Sequence, residues 1–94
     1  MTTYLIGYDL NRPNKNDAYA DLFDAIKATS DGSWWHHLDS TWIINSNLAD
    51  ESAVLNQLLP HIDANDELLV VRLRGTAAWR GFNKRGSDWI HNYL

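Results

Sequence analysis

The chain has no cysteine, only two prolines and one methionine, and no apolar run longer than a few residues. Without cysteine there can be no disulfide, thiol nucleophile, iron–sulfur cluster or cysteine-based zinc site. The apolar runs fall far short of the roughly 20 residues that a membrane-spanning helix needs. The opening Met1-Thr2-Thr3-Tyr4 lacks the basic start, long apolar stretch and cleavage site of a signal peptide. A soluble, cytoplasmic protein with no membrane partner is therefore expected. A glycine-rich phosphate loop and a zinc-protease His spacing are also missing, and Ser40 has no nucleophile-elbow context.

What remains is a short, aromatic-rich chain. Its 94 residues allow one domain. Five Trp, four Tyr and two Phe within a 45% apolar composition supply enough bulk for a core and argue against disorder. The net charge of −4 is unevenly spread: residues 72–85 hold Arg72, Arg74, Arg80, Lys84 and Arg85 with no acid, a local +5, so the remainder carries −9. Such a segment suits a phosphate-binding strip or a solvated stretch that pairs with the protein's own acidic helices. The second is favoured, because the acidic whole repels polyanions at long range.

Local patterns give an order of elements. Tyr4 to Leu10 reads as a strand, followed by a polar loop in which Asn14 or Asn16 is a candidate helix cap. Ala18, Tyr19, Leu22, Phe23 and Ile26 recur at helical spacing between Asp17 and Ala28. Trp34 to Leu38 and a run opening at Trp42-Ile43-Ile44 suit two strands with a loose junction. Asn47 or Asp50 caps a second helix striped by Val54, Leu55, Leu58 and Leu59, and Pro60 ends it. Glu67 to Leu73 is the clearest strand, and Gly75 breaks it. The aromatic tail packs on the body, with a short helix over residues 87–92.

Strand, helix, strand, strand, helix, strand with right-handed crossovers predicts an α+β, ferredoxin-like βαββαβ sandwich with an aromatic-rich C-terminal extension. The core spans about residues 3–74 and the extension residues 75–94. The first and third strands are central, and both helices cover one face. The other face is also apolar: Leu5, Ile43, Leu69, Val71 and Leu73 alternate onto it. Leaving such side chains in water forfeits about 1.5–3 kcal/mol each and invites aggregation. The tail, a second copy of the chain, or both must cover that face, and a homodimer is favoured.

Few residues are candidates for chemistry. Asp9 closes the first strand, where a carboxylate can hold a divalent metal with water and phosphate, or can simply cap a turn with Asn11 and Arg12. His36 and His37 are adjacent, so strand alternation sends them to opposite faces and prevents joint chelation. His37 and Asp39 form a candidate pair on one face. Tyr8 and Trp42 suit base stacking on an open sheet, although core packing accounts for them better.

Taken together, Tyr4-Leu5-Ile6-Gly7-Tyr8-Asp9 with Arg12 soon after, an amphipathic helix, Leu38-Asp39-Ser40-Thr41-Trp42-Ile43-Ile44, a second helix and Leu68-Leu69-Val70-Val71 resemble the small CRISPR adaptation endonucleases (the "Cas-two" proteins). The pattern is also similar to the virulence-associated D toxins, which are ribonucleases. The resemblance implies a ferredoxin-like homodimer. It implies that Asp9, near the dimer axis, holds Mg2+ or Mn2+ between subunits for phosphodiester cleavage. Ser40 matches the serine after the second strand, and Arg12, Arg72 and Arg74 would neutralise phosphate. The chain departs from the family in its acidity, its Trp34-Trp35-His36-His37 run and its tail. The favoured expectation is accordingly a dimeric interaction or scaffold module of a defence or toxin–antitoxin type, with a protein partner. A metal-dependent nuclease is the alternative.

Overall fold

The computed structural model describes residues 1–11 and 15–94, and every side chain among them except that of Lys15. Its elements are β1 (Thr2–Asp9), α1 (Lys15–Thr29), β2 (Ser33–Leu38), β3 (Thr41–Ser46), α2 (Glu51–Leu58), β4 (Glu67–Arg72) and α3 (Lys84–Tyr93), with a 3-10 turn at Leu59–His61. The strands form one antiparallel sheet in the order β2-β3-β1-β4. The first and third strands are thus central, as the element order leads one to expect.

Local chemistry explains the boundaries. Asp50 is the cap of α2, accepting a hydrogen bond from the Ala53 amide at 2.9 Å. Pro60 cannot donate to the helix ladder, and the chain tightens there into the 3-10 turn. Asn16 lies inside α1 and does not cap it, whereas Asn14 falls outside the described residues. Gly32 takes the turn from α1 into β2 with a φ of 85°, a conformation that costs glycine little.

The sheet's first face carries the main core. Tyr4, Ile6 and Tyr8 of β1 and Trp42 and Ile44 of β3 pack under Leu22 and Ile26 of α1 and Val54 and Leu58 of α2. Phe23 anchors an aromatic group, its ring centroid 5.9 Å from Tyr8 and 5.2 Å from Trp42. Tyr8 and Trp42 are buried, so neither ring is open to a base.

The tail lies on the second face. Trp35, Ile43 and Ile90 form a separate buried cluster, flanked by Leu73, Trp79, Phe82, Trp89 and Leu94. Indole groups fix its position: Trp35 Nε1 donates to the Gly86 carbonyl at 3.2 Å, and Trp89 Nε1 to the Ser33 hydroxyl at 2.9 Å. The Thr3 hydroxyl donates to the Tyr93 carbonyl at 2.8 Å. The terminal helix is longer than residues 87–92. It begins at Lys84 because Asn83 caps it, accepting from the Gly86 amide at 2.9 Å. The tail's cover is partial. Over β4, Leu69 remains 59% exposed and Val71 39%. Among the described residues no helix is long and apolar enough to cross a membrane.

Candidate functional site

Three of the chemistry-bearing residues meet at one end of the sheet. Asp9 is the last residue of β1, and its antiparallel partner across the ladder is Glu67, the first of β4. Both are exposed. Ser40 sits in the β2–β3 turn at the same end, where its carbonyl accepts a hydrogen bond from the Tyr8 amide at 3.1 Å. A recess of about 370 Å3 opens there, lined by Gly7, Tyr8, Asp9, Glu67, Leu68 and Leu69.

Directly opposed carboxylates repel, and a strand pair that keeps them loses stability unless a cation compensates. Hard oxygen donors of this kind suit Mg2+ or Mn2+. One chain supplies two such side chains. Among the described residues no group of three or more His, Asp or Glu side chains gathers to hold a metal.

The basic candidates lie elsewhere. Arg72 ends β4 and Arg74 follows it, both exposed, five residues or more beyond Glu67. At about 3.3 Å per residue that is the length of the strand, so neither reaches Asp9 within one chain. Arg12 lies outside the described residues. The basic segment was expected to pair with the protein's own acidic helices; Lys84 instead bonds Asp88 within α3 itself, at 2.6 Å. Among the described residues Arg72, Arg74, Arg80 and Arg85 form no ion pair.

The histidines divide between the faces. His36 stacks on Trp42, with centroids 4.1 Å apart and planes inclined by 16°. Burial lowers its pKa below the usual histidine value, outweighing its hydrogen bond to the Asp39 carbonyl. His37 lies on the other face, against Phe82 and Gly86. The candidate pairing of His37 with Asp39 does not form. It is the Asp39 backbone that is used, its carbonyl accepting from the Tyr8 hydroxyl at 2.9 Å.

Sequence reasoning singled out Asp9 and Ser40 but not Glu67, which the register sets beside Asp9. The signal was available: Glu67 opens the clearest strand, and antiparallel pairing of that strand with β1 sets its first residue beside the last residue of β1. Comparison with family models, curated proteins and solved structures finds no match.

Proposed function

We propose that the chain is a homodimeric interaction module with the ferredoxin-like fold, similar to Cas-two and virulence-associated D proteins. In this reading it serves a defence or toxin–antitoxin type system as a scaffold that also binds a protein partner. The observation that carries the reading is the strip of Leu69 and Val71, left bare beside Gly7 where the tail stops. Burying one large aliphatic side chain is worth about 1.5–3 kcal/mol, so a second copy covering both strips gains from four such groups. The sheet order β2-β3-β1-β4, with α1 and α2 on one face, supports the ferredoxin-like assignment. A shared fold does not bring an activity with it. Sedimentation equilibrium over a wide concentration range tests the proposal. A reversible dimer is expected, and a monomer at every concentration overturns it.

A second reading has one observation in its favour, the Asp9–Glu67 pair. On that reading the chain is a metal-dependent endonuclease or endoribonuclease, with Asp9 and Glu67 holding Mg2+ or Mn2+ and water completing the shell. It requires cleavage of RNA or DNA that appears only with divalent metal and disappears in Asp9→Ala.

A further inference from the structure

We infer that β4 is a self-recognition edge: two copies pair their β4 strands antiparallel about a two-fold axis at Val70, joining two four-stranded sheets into one. The pairing brings Arg72 and Arg74 of each copy to the Asp9–Glu67 end of the other. This inference rests on the homodimer reading above and specifies its interface.

The sheet treats its two outer strands differently. β2 is guarded. Its register with β3 is irregular between Trp35 and Leu38, and α3 flanks it, with Trp89 bonded to Ser33. Irregularity and cover are the usual means of blunting an edge. β4 has neither. It pairs with β1 in unbroken register from Glu67 to Arg72, and its middle, Leu68-Leu69-Val70-Val71, holds no charge and no proline. An edge of that kind is a template for another strand.

Hydrogen-bond parity selects how such a strand joins. The Leu73 amide donates to the Thr3 carbonyl at 2.9 Å. In an antiparallel ladder the backbone groups alternate in direction, so odd-numbered residues of β4 bond inward to β1. The backbone groups of Leu68, Val70 and Arg72 then point outward. A register centred on Val70 joins outward groups to outward groups. It sets Leu69 across from Val71 of the partner subunit, so the two bare strips adjoin on one face and shield each other along their flanks.

Charge selects the direction. β4 is entered through Asp66 and Glu67 and left through Arg72 and Arg74. Antiparallel pairing lays the acidic start of each strand beside the basic end of the other, whereas parallel pairing lays like beside like. Paired strands are about 4.8 Å apart, well inside the roughly 8 Å screening length at physiological salt. Among the described residues of one chain, Asp9 opposes Glu67, and neither these two nor Arg72 and Arg74 form an ion pair. Pairing across the two-fold sets opposite charge at each end of the interface, with Arg72 on the helix-covered face and Asp9 and Glu67 on the other.

Charge reversal on the full-length chain tests this, with circular dichroism confirming the fold of each variant. The wild type is expected to dimerise, and Arg72→Glu/Arg74→Glu to weaken dimerisation about tenfold or more, because both ends of the interface then carry like charge. Glu67→Arg should weaken it as well, and mixing the two variants should restore a heterodimer. Amide exchange at Val70 gives a second readout, slowing with protein concentration as the outward N–H becomes bonded. A wild-type dimer that keeps its affinity in Arg72→Glu/Arg74→Glu, with a fast Val70 amide at all concentrations, overturns the edge-pairing inference and leaves the homodimer reading standing. A wild type that never dimerises overturns both.

Discussion

Trp42 donates its indole N–H to the hydroxyl of Tyr8 at 3.2 Å, and Tyr8 in turn donates to the Asp39 carbonyl at 2.9 Å. One phenol thus links the centre of the main core to the β2–β3 turn. Tyr8→Phe leaves the indole N–H of a residue that is 1% exposed without a partner. An unsatisfied buried donor costs about 1–3 kcal/mol. Urea denaturation should show a loss of that size with an unchanged slope. An unchanged midpoint would mean that the bond contributes nothing net.

The stacked imidazole of His36 makes stability depend on pH. Burial lowers its pKa in the folded state below the usual histidine value of about 6.5. The unfolded chain therefore takes up the proton first, and stability falls as pH drops below about 6.5. Lys27 and His37 nearby reinforce the lowering, while Asp39 opposes it. His36→Phe keeps the ring on Trp42 and removes the titration. The stability difference between variant and wild type should widen in the variant's favour from about pH 7.5 to pH 5. A constant difference would place the proton elsewhere.

The second core depends on α3. Ile90, 5% exposed, packs with Trp35 and Ile43. Ile90→Ala should cost about 2–5 kcal/mol, towards the lower end because this cluster is small and its surroundings can close in. Dye binding to exposed apolar surface should rise as the second face opens. A variant with wild-type stability and no added dye binding would show that the tail is held by its hydrogen bonds alone.

The opposed carboxylates at the sheet end give a salt-dependent prediction. Asp9→Asn removes the repulsion with Glu67. In dilute solution, with the chain monomeric, it should stabilise by about 0.2–1 kcal/mol at low salt. The gain should shrink as ionic strength rises. Thermal denaturation at two salt concentrations measures it. A loss of stability would show that Asp9 holds its own loop.

Much of the fold was legible from side-chain period and turn chemistry. Tyr4, Ile6 and Tyr8 alternate onto the helix-covered face, and Pro60 and Gly75 mark real ends. The apolar second face was legible too, because Leu69, Val71 and Ile43 break the polar alternation of a one-sided sheet. The length of α3 was not. Its first turn is Lys84-Arg85-Gly86, which has no apolar period, and only the Asn83 cap and the docking of Trp89 on Ser33 reveal it. Asp9 was visible as a strand-closing carboxylate, but Glu67 required the register, a long-range property that no local pattern contains. That Arg72 and Arg74 form no ion pair among the described residues likewise depends on which residues the fold sets beside them.

The irregular outer margin at Trp35–Leu38 has a consequence for size. A ribbon with two sticky sides grows into a fibre, one molecule after another. On the edge-pairing proposal this one has a sticky side and a dull side, so a pair of molecules uses up both sticky sides and offers only dull ones to a third. Growth stops at two, and straightening that kink is the change that would set filaments growing.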